Sequence, residues 1–253
     1  MRLSGKVIVV TGAAAGLGRS VAARFAREGA KVVAADTNQA DGAALVDELK
    51  SLGHDAIFVN TDVSQEPAVE ALFAATLSRY GRVDVLYSNA AVLLYDHDAP
   101  VHELSMETWD YVMGVNLRGA FLCAKYAIPS MLKQGGGSII FLGSPTGMVG
   151  CAPKLTAYST SKAAVMGLTR VMAAAYARNA IRVNSIVPGT MDTPMNGYIL
   201  RDQALREQYR EAVPMGRLGT GEDIAGLAVF LASEESAYCT GGFYMCDGGL
   251  TAV

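Results

Sequence analysis

The chain has 253 residues, 51% hydrophobic and 18% charged, with a formal net charge of −3. Such a composition can build a large core and is not that of a disordered chain. The small net charge and the lack of a Lys/Arg cluster argue against a nucleic-acid partner, and no apolar run approaches the length of a membrane span. The start, MRLSGKVIVVTG, has no apolar stretch followed by a cleavage site, so a cytoplasmic protein is expected. The four cysteines, Cys123, Cys151, Cys239 and Cys246, form no Cys-x-x-Cys pair and read as reduced, small hydrophobes. His54, His97 and His102 are not at metal-ligand spacing, so no metal is expected. His97 and His102 fall in a predicted loop, where they either line a pocket or, more simply, face solvent.

The first apolar run, KVIVV from Lys6, leads into TGAAAGLGRS. Gly12, Gly16 and Gly18 there occupy a turn and the start of a helix predicted over 17–28. Glycine lets the backbone approach a ligand closely, and a helix N-terminus offers free N–H groups to a diphosphate. Gly12, Ala15, Gly16, Leu17 and Gly18 are therefore candidate nucleotide contacts, although a tight structural turn would use the same glycines, and the spacing departs from Gly-x-Gly-x-x-Gly. The second run, KVVAA from Lys31, ends in Asp36, placed where a carboxylate accepts hydrogen bonds from an adenosine ribose, with Thr37 next to it. A helix-capping Asp is the alternative. A helix over 40–52 and the run AIFV from Ala56 follow. In NTDVS, Asp62 is a candidate acceptor for an adenine amino group, with Val63 packed on the ring.

A helix over 66–80 and the run VDVLYS from Val83 lead to Asn89 and Ala90, a small-residue floor beside a cofactor. The helix over 107–133 is interrupted by Asn116, which opposes helix formation and needs a specific partner, so a kink is expected there. The run SIIFL from Ser138 ends at Ser144, followed by Thr146 and Met148. The helix over 157–178 carries Tyr158 and Lys162, four residues apart and hence on one face. After IRVNSIV from Ile181, Pro188 and Gly189 set a turn, and Thr190 and Thr193 offer hydroxyls. A long insertion at about 190–214 reads as a mobile substrate lid. A helix over 221–232 and the run GFYMC from Gly242 complete the chain.

Strands apolar on both faces, alternating with helices, predict one α/β domain over 1–253. Its core is a Rossmann-type, doubly wound, seven-stranded parallel sheet with helices on both faces. Ligands bind beyond the carboxyl ends of such strands, and every unusual residue above falls there.

The TGAAAGLG turn, SNAA, Asn116, Ser144, the Tyr158–Lys162 pair, PGTMDTP and the terminal CDGG, in this order, resemble the short-chain dehydrogenase/reductase family. The resemblance runs from residue 11 to 249 and departs from the family at Ala91, where a glycine is usual. It implies hydride transfer between a nicotinamide cofactor and a secondary alcohol or ketone. The catalytic residues would be Asn116, Ser144, Tyr158 and Lys162: Tyr158 exchanges the alcohol proton, Ser144 binds the substrate oxygen, Lys162 serves the tyrosine and the nicotinamide ribose, and Asn116 holds a water linking Lys162 to solvent. Cofactor contacts extend to Tyr158, Lys162, Pro188, Gly189, Thr190 and Thr193, and the assembly is expected to be a homotetramer, with the C-terminus GGLTAV at an interface.

A free tyrosine titrates near pH ~10, so acting as a base near pH ~7 asks for about 4 kcal/mol. A unit charge about 4 Å away, at an effective dielectric of about 20, supplies about that much. Asp36, with no base in the glycine turn, predicts NAD over NADP, since a 2′-phosphate would face the carboxylate uncompensated. Candidate substrate contacts are Ser144, Thr146, Met148, Tyr158, Met191 and Met195. With Val92, Leu93, Leu94, Pro145, Cys151, Tyr198 and Ile199 nearby, they predict a small-molecule substrate that is bulky or cyclic and mostly apolar. A sugar alcohol, a steroid, an acyl chain on a carrier protein or a non-catalytic nucleotide-binding scaffold are the alternatives.

Overall fold

Each apolar run forms a short strand because parallel strands covered on both faces bury both sets of alternating side chains. The computed structural model describes residues 1–252. Its strands are β1 (Val7–Thr11), β2 (Lys31–Asp36), β3 (Ala56–Asn60), β4 (Val85–Ser88), β5 (Gly137–Leu142), β6 (Ile181–Pro188) and β7 (Phe243–Cys246). They pair in the order β3-β2-β1-β4-β5-β6-β7, and every neighbouring pair is parallel. The chain winds outward from β1 to β3, then returns to lay β4 on the other side of β1. The crevice at the carboxyl ends of β1 and β4 is thus the topological switch point.

Helices cover both faces: α1 (Gly16–Arg27), α2 (Gln39–Ser51) and α9 (Gly221–Ala232) one, α3 (Glu66–Tyr80), α5 (Gly119–Gln134) and α6 (Thr156–Tyr176) the other. Two buried clusters result, one holding Phe25, Leu45 and Ile224, the other Leu72, Cys123 and Val165. The insertion after β6 forms α7 (Gly197–Leu200) and α8 (Gln203–Ala212).

The helix expected over 107–133 is broken in two. α4 (Met106–Met113) passes through a π-helical turn at Gly114–Arg118 before α5 begins. Asn116 sits inside that turn, buried, and its amide has three protein partners. It accepts from Val92 N at 2.7 Å and donates to Val92 O at 3.0 Å and to Ser161 Oγ at 3.1 Å. The expected kink is therefore real, and a satisfied buried amide holds it.

Candidate active site

β1 ends at Thr11, whose hydroxyl accepts from Asn89 N at 3.0 Å and Ala90 N at 3.1 Å. Asn89 Nδ2 in turn donates to Thr11 O at 3.0 Å and Gly12 O at 3.1 Å, so the glycine turn is bolted to the end of β4. Gly12 has φ +65°, and a Cβ there would lie 2.8 Å from Asn89 Nδ2. Only glycine fits. A Cβ on Gly18 would overlap the Gly12 carbonyl, so this buried glycine seats α1 on the turn and does not itself face the cavity. Helix α1 has no side-chain cap at Ala15 and no acid in its first turn. Its free N–H groups and positive end suit an anion.

Asp36 stands at the tip of β2 with its carboxylate oriented by the backbone. Oδ2 accepts from Ala14 N at 2.9 Å and Oδ1 from Asn38 N at 2.9 Å. Arg19, in the first helical turn after the glycines, is paired with Glu48 at 2.5 Å.

One cavity of about 710 Å³ runs from Asp36 and the glycine turn to the α7–α8 insertion. Gly12, Ala15, Gly16, Leu17, Asp36, Asn89 and Ala90 line its first part; Ser144, Tyr158, Lys162, Pro188, Gly189, Thr190 and Thr193 line the middle. Thr37 is exposed and outside the wall. Asp62 and Val63 also lie outside it. Asp62 Oδ1 accepts from Ser64 N at 2.9 Å and Ser64 Oγ at 2.7 Å, closing its own turn, and Val63 is packed under α5, where a Cβ on Gly119 would come 2.6 Å from its methyl.

Thr146, Met191 and Met195 border the far end, with Leu93, Pro145, Cys151, Tyr198 and Ile199. Met148 does not. The short helical turn Pro145–Gly147 is pressed onto α6 at Gly147, and Met148 beyond it is 47% exposed, while Val149 takes a place in the wall. Val92 and Leu94 are not in the wall either; Val92 is spent on Asn116. His97 and His102 are exposed. Ala91 lines the cavity without strain: the only non-glycine residue with positive φ among those described is Ala180.

Ser144, Tyr158 and Lys162 meet in the middle of the cavity. The Tyr158 hydroxyl faces Ser144, whose Oγ lies 3.0 Å from Thr146 Oγ1. Lys162 Nζ is 5.6 Å from the Tyr158 ring centroid and donates to Leu142 O at 2.9 Å. The lysine does not lower the phenol as charge arithmetic in isolation suggested. Burial pushes Tyr158 up to about 12, opposed by the Ser144 hydroxyl, and pushes Lys162 down to about 8. The cost of desolvating each ion exceeds what the pair returns. Tyr158 is only half-buried because it borders the cavity, so water relieves part of its shift until a ligand fills the space.

Three further groups were not singled out from sequence. Buried Asp98 caps α6 from the loop after β4, accepting from Ala157 N at 3.0 Å and Tyr158 N at 2.9 Å. Leu155, at the position where a cap residue would sit, has no capping side chain, so the helix bearing Tyr158 depends on Asp98. Ser161 Oγ donates to Tyr158 O at 2.7 Å and accepts from Asn116. Tyr95, in the Asp98 loop, stacks on Tyr198 of α7, with ring centroids 3.7 Å apart and planes at 15°. A missing cap before a helix is the one local sign that points toward Asp98; the other contacts cross between segments and leave no pattern in sequence.

A family model described as enoyl-(acyl carrier protein) reductase matches residues 12–251. The chain is 38% identical over 250 residues to the 3-oxoacyl-(acyl-carrier-protein) reductase FabG of Thermotoga maritima, covering 99% of each protein. It is 40% identical over 249 residues to the cis-4-hydroxycyclohexanecarboxylate dehydrogenase of Sinomonas cyclohexanicum, covering 98% of this chain and 97% of that one. A solved structure from Beutenbergia cavernae, described as a putative NAD(P)-dependent gluconate 5-dehydrogenase with NADP at low occupancy, superposes with a TM-score of 0.93 at 34% identity, covering 99% of this chain and 98% of the other.

Proposed function

The chain belongs to the short-chain dehydrogenase/reductase family, oxidoreductases that act on CH–OH groups with a nicotinamide cofactor, and from that premise we propose that it is an NAD-dependent enzyme interconverting a bulky or cyclic, mostly apolar secondary alcohol and its ketone. The observation that carries this reading is that Ser144, Tyr158 and Lys162 border the same cavity as the glycine turn and Asp36.

The residues present fit a dinucleotide. Side chains at Gly12 and Gly18 would collide with the turn itself, and the uncapped end of α1 borders the cavity at Gly16 and Leu17. When bound, the nicotinamide ring accepts or supplies the hydride. The chain's own residues do the rest. The N–H groups at the start of α1 hold the diphosphate. Asp36 accepts from the adenosine ribose hydroxyls. Lys162, at about 8, keeps its proton near neutral pH; with one hydrogen on Leu142 O, it has two left for the nicotinamide ribose. Ser144 orients the substrate oxygen. Tyr158 takes the alcohol proton in oxidation and returns it in reduction. In the free protein its phenol stays protonated at neutral pH, and a nearby positive charge would favour its ionised form. Asn116 braces α6 through its amide bonds to Val92 and Ser161, and the remaining acceptor site of its Oδ1 is open to a water that links Lys162 to solvent.

Preference for NAD rests on Asp36 and on the absence of a free cation beside it, since Arg19 is held by Glu48. The residues at about 190–214 act as the lid. Phe121 on α5 and Val171 on α6, exposed at 50% and 61%, supply apolar surface for a homotetramer, which sedimentation at micromolar concentration would test. All four cysteines are free, which fits a cytoplasmic protein, and among the described residues no helix is long and apolar enough to cross a membrane. The function is tested by following reduced-cofactor absorbance over cyclic, sugar, steroid and straight-chain alcohols with NAD and NADP. Turnover of a cyclic alcohol with NAD is expected; no turnover of any alcohol overturns the reading.

A further inference from the structure

The charged side chains that line the cavity are Asp36, beside the glycine turn, and Lys162, beside Tyr158. Beyond Tyr158 the wall includes Leu93, Val149, Leu155, Tyr198 and Ile199 beside the polar Thr146 and Asn196, with no acid or base among them. The basic residues of the nearby insertion are engaged elsewhere. Arg206 pairs with Asp192 at 3.0 Å, Arg201 Nε donates to Gly197 O at 3.0 Å, and Arg210 pairs with Glu207 and donates to Gly216 O at 3.1 Å. Lys162 gives one hydrogen to Leu142 O, and its other two are left for the nicotinamide ribose. A carboxylate carried past Tyr158 would therefore meet no charged side chain in the wall, and giving up water to an apolar surface without a cation is costly.

The same wall has a flat element. Tyr198 is stacked on Tyr95 from behind, and its hydroxyl lies near Tyr209. Tyr198 and Tyr209 line the cavity, whereas Tyr95 stands outside it. With one face covered by Tyr95 from a separate loop, the ring offers its other face to a substrate ring when the lid is in this position.

We infer that the site selects an uncharged ring-bearing secondary alcohol or ketone and excludes hydroxy acids, with Tyr198, braced by Tyr95, as the residue that sets this selectivity. The inference rests on the alcohol dehydrogenase reading above, and it separates this chain from the relatives described as acting on a cyclohexanecarboxylate and on gluconate.

The test compares two nearly isosteric compounds, cis-4-hydroxycyclohexanecarboxylate and its methyl ester, at pH 7 with the full-length protein. With NAD, kcat/KM for the ester is expected to exceed that for the acid by about 100-fold or more. Equal values, or a preference for the acid, overturn the inference and leave the dehydrogenase reading intact. Calorimetric binding of both compounds to the protein with NADH, where no turnover occurs, gives a second readout. Tighter binding of the ester without turnover under any condition keeps the inference and sinks the dehydrogenase reading; equal binding sinks the inference. Tyr198→Arg should bring the acid to within about tenfold of the ester, and Tyr95→Leu should raise KM for the ester about tenfold with kcat unchanged. If neither variant moves the ester-to-acid ratio or KM, Tyr198 does not set the selectivity.

Discussion

The Asp36 end of the cavity and the Tyr198 end differ in how they are made. At the first, β1, the glycine turn, α1 and the tip of β2 contribute residues close in sequence, and the groups that matter are backbone N–H groups, one carboxylate and glycines that leave room. At the second, the loop after β4, residues 145–155, the α7–α8 insertion and Leu250 come together, and most of the groups are apolar side chains, with Thr146 and Asn196 among them. The first end is fixed by local chain geometry, so substitutions there act on one bound group at a time. The second is a tertiary assembly in which each wall residue is replaceable if its volume is kept. Between them, α6 holds Tyr158 and Lys162, anchored by Asp98 from the substrate side.

Where the two ends join, Tyr158→Phe should lower kcat by about 10³-fold, because the proton acceptor is gone while the ring still packs. Cofactor affinity, read by fluorescence titration, should stay within about twofold. A variant retaining a tenth of wild-type kcat would show that the proton goes elsewhere.

At the Asp36 end alone, Asp36→Ala combined with Thr37→Arg should move the NAD-to-NADP ratio of kcat/KM by about 100-fold toward NADP, with KM for the alcohol unchanged. A change in alcohol KM of similar size would mean that the ends are not independent.

Asp98→Ala sharpens the role of the anchor. It leaves Ala157 N and Tyr158 N unpaired in a buried place, at about 1–3 kcal/mol each. The melting temperature should fall and kcat should drop about tenfold at unchanged cofactor Kd. Asp98→Asn, which keeps one acceptor, should recover part of both. Loss of stability without loss of kcat would reduce Asp98 to a structural cap.

Lys162→Met should weaken cofactor binding and kcat yet stabilise the cofactor-free protein, since burial disfavours the lysine charge. The sign with pH follows. Below about 8, Lys162 is charged in both folded and unfolded states, and the fold bears the full cost. Between about 8 and the ordinary lysine range the folded protein has released the proton and the unfolded chain has not, so wild-type stability rises. The advantage of the Lys162→Met variant in denaturant melts should therefore shrink from pH 8 to 10.5. A constant difference would place the titration elsewhere.

The smallest effect belongs to Tyr87 of β4, whose buried hydroxyl has no partner. Tyr87→Phe should leave both ends of the cavity untouched and raise stability by up to about 1 kcal/mol in the same melts. A loss of stability would reveal a partner for that hydroxyl.

The contrast between the ends also explains what could be read in advance. The alternation of runs and helices, the seven parallel strands and the glycine turn follow from short-range patterns, and the sheet order places Gly12, Asp36, Ser144 and Tyr158 along one crevice. Thr37, Asp62 and Val63 looked equally local; they follow the ends of β2 and β3 outside the wall of the cavity, and Asp62 is engaged by Ser64 in its own turn. Met148 was adjacent to the site in sequence, but the turn at Gly147 takes it out of the wall. The shifts at Tyr158 and Lys162 required knowing how deeply both are buried, which no pairwise charge estimate contains.

The π-helical turn at Gly114–Arg118 makes the segment more tolerant of substitution than of a change in length. A helix advances about 100° per residue, so the one additional residue in such a turn rotates everything after it by roughly that angle. Here it lets α4 address α6 while α5, a few residues later, addresses α3. Deleting any single residue between 114 and 118 would re-phase one of those helices against its neighbour even if Asn116 were kept. In a deletion scan this pentapeptide should behave like a gear tooth: side chains other than Asn116 can be exchanged, but the count is fixed.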